Sequence, residues 1–172
     1  MKKRYTIIGV DPGQSGAIAV FDPDGNLDVW DLKDFLIPTG GFRSLDPNRL
    51  TAVMRPAVGY ENHAICFIEE SLLVHGNGIK TTRPIFDSRG VLRAVFGLLN
   101  ADCRFVPPTT WKRYYGLLRT EKSASVDLAI KLLPNYADFF RKEKGGRLID
   151  LDGRAEAALI ALYGTELIET KK

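Results

Sequence analysis

The sequence has little that would point to a membrane or to export. No apolar stretch approaches the roughly 20 residues that a helix needs to span a bilayer. The basic start MKKRYTIIGV lacks the longer apolar region and the small-residue cleavage site of a signal peptide. We therefore expect a cytoplasmic protein that makes no contact with a membrane. A compact chain of this kind suits a bacterial or phage-encoded protein.

Cysteine is also scarce. Cys66 and Cys103 each lie in an apolar run, AICFIEE and ADCRFV. We expect both to be small buried hydrophobic residues, which argues against a disulfide framework and against a cysteine metal site. Internal repeats and low-complexity tracts are missing as well, which argues against a repeat architecture.

Length and charge set broad limits. The chain has 172 residues with 45% hydrophobic content, which suits a single domain over residues 1–172 with its own core. The 24 Lys and Arg exceed the 21 Asp and Glu by only 3. This balance weakly favours a polyanionic partner and decides little else.

The first third of the chain alternates short apolar runs with turn signals. These runs predict a three-stranded antiparallel meander with a hairpin turn at residues 23–26. The predicted strands are Tyr5–Val10, Gly16–Asp22 and Leu27–Leu32.

A helix and a central strand are predicted next. After a loop at Pro38–Gly41, the segment Asp46–Tyr60 can form a helix with Asp46 as its N-cap, although Pro56 must kink or end it. Ala64–Ile68 is a continuous apolar run followed by two acids, which is typical of a strand covered on both faces.

The second half reads mainly as helices. The order of elements predicts an α/β protein with a five-stranded mixed sheet, its three antiparallel strands first, flanked by helices on both faces. After a loop at Leu72–Lys80, the predicted elements are a helix Pro84–Asn100, a strand Arg104–Val106, a helix Thr109–Leu118, a helix from Thr120 to Leu133, a short helix Tyr136–Glu143 and, beyond a break at Gly145-Gly146, a last helix Asp152–Leu167.

Four acids fall where this sheet could bring them together. Asp11 directly follows the first strand, and Glu69 follows the fourth. If these strands are neighbours, both acids lie at the edge where ligand crevices of open α/β sheets form. Asp152 and Glu156 begin the last helix and, being four apart, can face the same way. Each acid alone could be a turn, cap or surface residue, and the combination favours a site.

Clustered carboxylates repel one another and raise one another's pKa unless a cation neutralises them. Hard oxygen ligands suit Mg²⁺ or Mn²⁺. Two such ions about 3.5–4 Å apart stabilise the attacking and leaving oxygens of a phosphodiester displacement. The acids therefore indicate a metal-dependent site for phosphodiester chemistry.

Four stretches of the chain resemble motifs of the RuvC-like Holliday junction resolvases, which have the RNase H-like fold. IGVDPGQSGAIAV resembles their first strand, catalytic Asp and hairpin, and FIEES resembles their second acid motif. EKSASVDLAIKLL is similar to their Glu-Lys-Ser helix entry, and DGRAEAALIALYG to their acidic C-terminal helix. The motifs occur in matching order from about residue 6 to residue 164.

The resemblance implies a crossover junction endodeoxyribonuclease, a homodimer that cuts four-way or branched DNA by hydrolysis dependent on Mg²⁺ or Mn²⁺, with two ions per site. It also implies that Asp11 and Glu69 are the first two metal ligands. Asp152 and Glu156 are candidates for the remaining places.

The last helix departs from the family pattern. The family usually places two acids, or an acid and a His, three residues apart on this helix. Here Gly153 falls where the first of that pair is expected, three residues before Glu156. Asp152 must then substitute from the adjacent position, with Asp150 as a third possibility.

Several basic and aromatic residues are candidates for DNA contact. Lys112 and Lys122 match positions where the family carries basic residues near the scissile phosphate. We expect Lys122 to be a catalytic residue and Lys112 to contact the nucleic acid. A loop over residues 72–83 follows Glu69 and is expected to overhang the site and to contact the DNA backbone. Its candidate residues are His75, Asn77, Lys80 and Arg83.

Three aromatic residues could stack on unpaired bases. Their helical spacing makes core packing the better explanation. They are Trp111, Tyr114 and Tyr115.

Three other functions compete. The first is a different RNase H-like nuclease, acting on RNA–DNA hybrids or on branched DNA with less selectivity. The second is a non-catalytic nucleic-acid-binding module on this fold. The third is a fragment of an actin-like sugar kinase or ATPase, which is disfavoured because 172 residues cannot supply both domains around the nucleotide.

Overall fold

A five-stranded sheet forms the centre of the computed structural model, which describes residues 5–13, 15–59, 63–70 and 79–170, without the side chains of 79–81. Its strands are β1 (Tyr5–Val10), β2 (Ala17–Phe21), β3 (Leu27–Asp31), β6 (His63–Glu69) and β7 (Ala101–Val106). They lie in the order β3-β2-β1-β6-β7.

The sheet is mixed, as predicted. β1 pairs antiparallel with β2, and β2 antiparallel with β3. β1 pairs parallel with β6, and β6 parallel with β7. The carboxyl ends of β1, β6 and β7 therefore meet at one edge of the sheet. The predicted site depended on this arrangement, because Asp11 and Glu69 lie at the ends of two of these strands.

Helices cover both faces, because successive strand residues point to opposite sides. Ile8 of β1 packs with α1 (Pro47–Val58) and α2 (Ile79–Leu98) on one side. Ile7 packs toward a second group of helices on the other side. That group comprises α3 (Pro108–Tyr114), α4 (Ser123–Leu132), α5 (Ala137–Phe140) and α6 (Asp152–Glu169).

Two hairpins replace predicted irregular or helical segments. The predicted loop at Pro38–Gly41 is the turn region between β4 (Leu36–Thr39) and β5 (Phe42–Leu45). The predicted helix Tyr136–Glu143 is wrong beyond Phe140, where β8 (Arg141–Lys144) and β9 (Arg147–Asp150) form a second hairpin.

Both hairpins turn on a Gly-Gly pair. Gly40 and Gly41 have φ of 47° and 96°, and Gly145 and Gly146 have φ of 60° and 74°. Two-residue hairpin loops with positive φ at both positions match the twist of the flanking strands and favour glycine. Gly145-Gly146 is therefore the turn of the β8–β9 hairpin. The sequence had predicted only a break between two helices at this point.

Helix boundaries differ most around α2. The helix begins at Ile79, so Lys80 and Arg83 lie on a helix and the predicted loop over residues 72–83 ends earlier. Pro84 lies inside α2, where it has no N–H to donate to the ladder of helix hydrogen bonds. The predicted N-cap of α1 is confirmed, since the Asp46 carboxylate accepts hydrogen bonds from the N–H groups of Asn48 and Arg49 at 2.9 and 3.2 Å.

The cysteines are partly as predicted. Cys66 is buried and Cys103 is only half-buried, because Cys103 lies on β7 at the end of the sheet. The two are direct partners across β6 and β7, and both are free thiols. Among the described residues, no helix combines the length and hydropathy that a membrane crossing requires.

Candidate active site

Two acids lie side by side at the carboxyl ends of the central strands. Val10 of β1 is the register partner of Ile68 of β6. Asp11 and Glu69 each come one residue later, so the parallel pairing brings them to the same point on the edge. The predicted adjacency of the first and fourth strands accounts for this arrangement.

The turn after β1 holds Asp11 in place. Its carboxylate accepts a hydrogen bond from the N–H of Gly13 at 3.1 Å, and its own N–H donates to the carbonyl of Ala17 at 3.1 Å. A Cβ on Gly16 would lie 2.1 Å from the Asp11 carbonyl oxygen. Gly16 is therefore required because the chain folds back directly against the acid.

Trp111 fixes Glu69. The indole N–H of Trp111 donates to the Glu69 carboxylate at 3.0 Å, and the ring is fully buried. Trp111 packs in the core, as its helical spacing predicted, and its indole N–H also orients the Glu69 carboxylate. Tyr115 is partly buried against the same core, while Tyr114 is 55% exposed.

α6 lies directly against the strand end and the turn. A Cβ on Gly9 of β1 would lie 2.2 Å from the carbonyl oxygen of Ala157. A Cβ on Gly153 would lie 2.3 Å from the carbonyl oxygen of Ser15. Because both close atoms belong to the backbone, no side chain fits at either position. This contact gives a physical reason for the missing acid at position 153.

Glu156 faces the same edge and is paired with Lys112. The ammonium group of Lys112 lies 3.0 Å from the Glu156 carboxylate and 5.0 Å from the centre of the Trp111 ring. α3 thus carries two groups that contact the acids, an indole N–H and an ammonium. We call Asp11, Glu69 and Glu156 the acidic edge.

The acids of this edge affect one another. Burial raises the pKa of Asp11 to about 7, and the charges of Glu69 and Glu156 add to the rise. Burial also raises the pKa of Glu69, against the lowering effects of the Trp111 N–H and the Lys112 charge. The charged forms of Asp11 and Glu69 therefore lower the stability of the folded protein, which is common at functional sites.

Other predicted site residues lie to one side. Asp152 is 3.8 Å from Lys122, whose side chain is 90% exposed. Asp150 accepts from the guanidinium of Arg141 at 2.6 Å, which directs it toward the β8–β9 hairpin. Neither acid is among the groups that shift the pKa of Asp11.

The predicted DNA-contact residues are only partly described. Arg83 is exposed on α2, with its guanidinium 4.2 Å from the centre of the Phe42 ring on β5. The backbone of Lys80 belongs to α2, and its side chain lies outside the description. His75 and Asn77 fall outside the described residues.

An ion pair that sequence reasoning missed anchors α6. Arg154 donates two hydrogen bonds to Asp31 at the end of β3, at 2.6 and 3.0 Å, and Lys33 lies 2.8 Å from the same carboxylate. Asp31 and Arg154 are 123 positions apart, and neither lies in a motif that suggests the other. A local sequence signal for this pair is absent.

The chemistry of the acidic edge fits a divalent cation. Its donors are carboxylate oxygens, which Mg²⁺ and Mn²⁺ prefer, and its excess negative charge needs a counter-charge. The side-chain positions fit less well: among the described residues, no three His, Cys, Asp or Glu side chains are grouped to hold a metal ion. Glu69 is engaged by Trp111 and Glu156 by Lys112, so cation binding would require these carboxylates to reorient.

The fold and the edge together define an RNase H-like α/β domain with acids at the carboxyl ends of its central strands. Its structure is similar to that of RuvC from Thermus thermophilus, with a TM-score of 0.56 and 12% identity over 94% of this chain and 96% of that chain. The same protein in complex with a Holliday junction substrate matches with a TM-score of 0.52 and 11% identity over 95% and 96% of the two chains.

A third similar structure is the yeast mitochondrial Holliday junction resolvase Ydc2. It matches with a TM-score of 0.55 and 15% identity over 92% of this chain and 76% of that chain. No protein-family model and no curated protein sequence matches this chain. The chain thus has the fold of the RuvC-like resolvases, at a sequence identity that shows the fold and leaves the activity to be tested.

Proposed function

We propose that this protein is a divalent-metal-dependent endonuclease that resolves four-way DNA junctions. The observation that carries the proposal is the convergence of Asp11, Glu69 and Glu156 at the carboxyl edge of the sheet. The RuvC-like fold supports it, since one similar structure is a complex with a Holliday junction substrate.

We assign the cation to the acidic edge, with Asp152 as the nearest further carboxylate on α6. One or two Mg²⁺ or Mn²⁺ ions bound there would activate water and neutralise charge on the transferring phosphate. The reaction is hydrolysis of one phosphodiester bond per site, in which water adds to phosphorus and the ends are a 5′-phosphate and a 3′-hydroxyl.

The neighbouring side chains have roles of their own. Trp111 keeps Glu69 directed at the edge through its indole N–H. Lys112 offers an ammonium group that can leave Glu156 for a phosphate oxygen, offsetting negative charge that builds there. Lys122, at the exposed entry to α4, is placed to contact the DNA backbone beside Asp152.

A homodimer would place two such edges on a substrate with two-fold symmetry. The surface of α2 supports this arrangement. Phe86 and Leu98 are 44% and 76% exposed, and the small residues Gly90 and Ala94 lie between them at four-residue spacing. We call these four residues the α2 stripe, and we assign the dimer contact to it.

The test compares four labelled substrates in Mg²⁺ or Mn²⁺: a synthetic four-way junction, a linear duplex, an RNA–DNA hybrid and a replication fork. The expected result is paired nicks in opposing strands of the junction that a ligase can seal, with the other substrates cut at least tenfold more slowly. Equal rates on all four would reject the resolvase assignment.

Glu69→Gln should abolish cutting and leave junction binding intact. Glu70→Gln is the matched control, because the next residue is an acid that lies away from the edge, 4.0 Å from Arg89. Unchanged cutting by Glu69→Gln would remove Glu69 from the mechanism. Junction binding by the wild type without any metal-dependent nicking would indicate the non-catalytic module instead.

A further inference from the structure

The β8–β9 hairpin projects from the domain just before α6 and takes no part in the acidic edge. Every residue from Lys142 to Asp150 is exposed. The ladder joins Arg141–Lys144 to Arg147–Asp150 through the Gly145-Gly146 turn. A short exposed ribbon buries little apolar surface of its own, so its side chains are free to meet a partner.

The two faces of the hairpin differ in charge. Lys142 pairs with Ile149, and Lys144 pairs with Arg147. Directly paired residues of an antiparallel ladder share a face, and alternate residues along a strand do so as well. Lys142, Lys144 and Arg147 therefore form one face with Ile149, which we call the basic face.

The opposite face carries charges of both signs, with one cation and two acids. Arg141 lies there and donates to Asp150 at 2.6 Å and to Asp127 of α4 at 2.8 Å. Glu143 shares this face. The basic face has no acid, and none of its three cations has an ion pair within the described part of the chain.

The base of the hairpin is tied to the body of the domain. The N–H of Leu151 donates to the carbonyl of Phe140 at 2.8 Å, which closes the ladder beside α5. Arg141 links the hairpin to α4 through Asp127. β9 ends at Asp150 and α6 begins at Asp152. A strand of four residues spans about 13 Å, and Ile149, the residue of the basic face nearest to α6 in sequence, lies three positions before Asp152.

We propose that the basic face of the β8–β9 hairpin binds the phosphate backbone of a duplex arm whose cut strand lies at the acidic edge. The inference rests on the proposed function for the presence of a nucleic-acid substrate. Three unneutralised cations on one exposed ribbon are complementary to a line of phosphates, and flexible lysines suit contacts that position the duplex without reading its sequence.

The test measures binding of a four-way junction against salt concentration, with Glu69→Gln as the background so that no cutting occurs. Adding Lys142→Gln and Lys144→Gln should reduce the slope of log affinity against log salt by about 1.8, the value for two lost phosphate contacts. The matched control is Arg49→Gln with Arg55→Gln, which removes two exposed charges from α1 on the other side of the sheet.

A second control separates the faces. Glu143→Gln changes the charge of the opposite face and should alter the affinity for the junction by less than twofold. Thermal melting should show that all variants are as folded as Glu69→Gln alone, since every further side chain that is changed is exposed. Equal slopes for the hairpin and α1 variants would overturn the proposal.

The outcomes separate this inference from the proposed function. A junction-cutting wild type with an unchanged slope in the hairpin variant would reject the hairpin contact alone. Loss of self-association in the hairpin variant, with junction binding unchanged, would assign the basic face to a second copy of the chain and would also reject it. A wild type that neither binds nor cuts junctions would reject the proposed function first.

Discussion

At the scale of single residues, Asp11 destabilises the fold that holds it. Its pKa in the folded protein is about 7, against an ordinary value of 3.8. The folded state thus binds more protons than the unfolded state between these two pH values, and stability must fall as pH rises through this window. Above pH 7 the full cost of the buried charge is present.

Asp11→Asn should therefore stabilise the protein at pH 8 in EDTA, by roughly 1–3 kcal/mol. The asparagine oxygen can still accept from Gly13, so the turn is kept. Urea unfolding at pH 5 and pH 8 measures the effect, which should be much smaller at pH 5. Asp152→Asn is the control, because that carboxylate is 42% exposed and should change stability little. A less stable Asp11→Asn at pH 8 would contradict this account.

The Asp31 carboxylate has the opposite behaviour. Hydrogen bonds from Arg154 lower its pKa to about 2, with Lys33 adding to the effect. A lowered folded pKa gives stability that is present above the unfolded value and lost as pH falls through the folded one. The relevant window is pH 4 to pH 2.

Asp31→Asn should lower the free energy of unfolding at pH 7 by about 2 kcal/mol. The difference from the wild type should shrink as pH falls from 4 to 2, because the wild-type carboxylate becomes protonated in this range, first in the unfolded state and then in the folded state. Chemical unfolding at pH 7, 4 and 2.5 provides the measurement. Asp28→Asn, an exposed change on the same strand, should have no such pH-dependent effect. A constant difference across this range would rule out the ion pair as its source.

At the scale of elements, the docking of α6 sets the geometry of the site. Gly153 lets the first turn of the helix touch the Ser15 carbonyl, and Gly9 lets its second turn touch β1. A methyl group at either position must push backbone against backbone. The separation of Glu156 from Asp11 depends on these contacts.

Gly153→Ala should destabilise the protein by about 1–3 kcal/mol and should also reduce cutting, because Glu156 moves away from Asp11. Gly97→Ala on α2 is the control, since an added Cβ there meets no atom of the described structure within 4 Å. That change should leave stability unchanged or raise it by up to about 1 kcal/mol. Equal thermal melting of the two variants would argue against close docking of α6.

The same elements show what the sequence could reveal. Alternating apolar runs and turn signals predicted the five-stranded sheet, and the ends of its parallel strands located Asp11 and Glu69. The β8–β9 hairpin was missed although Gly-Gly pairs mark two-residue turns, because β8 is entirely polar and the two apolar residues of β9 are adjacent and do not alternate with polar ones. The fit of Gly153 and the Asp31–Arg154 pair depend on tertiary packing between distant segments, which no local pattern encodes.

At the scale of the whole molecule, the excess charge of only 3 leaves open where the charges lie, and the structure separates some of them. Three carboxylates converge at the acidic edge, where Lys112 pairs with one of them, while Lys122 and the basic face of the hairpin lie at the start of α4 and on the β8–β9 hairpin, which precede α6 in the chain. The phosphates of a nucleic acid can contact these Lys and Arg side chains while one phosphate lies at the acidic edge. This separation, more than the net charge, makes a nucleic-acid substrate physically reasonable.

The α2 stripe supplies the last prediction, which concerns the assembly. Phe86→Glu with Leu98→Glu should convert the proposed dimer into a monomer in light scattering, because buried unpaired carboxylates oppose the contact. The monomer should keep its fold, since both side chains are exposed in the single chain. Leu132→Glu is the control, an exposed apolar residue of α4 that lies away from the stripe.

Two-fold pairing also predicts a change in the products. If each protomer cuts one strand, the monomeric variant should release singly nicked junctions and lose the simultaneous second cut. A supercoiled plasmid with an extruded cruciform distinguishes these results, because two cuts within one binding event give linear DNA and independent single cuts give nicked circles. If a monomeric variant still converts the plasmid directly to linear DNA, the α2 contact is not needed for the two cuts to occur together, and the prediction is wrong.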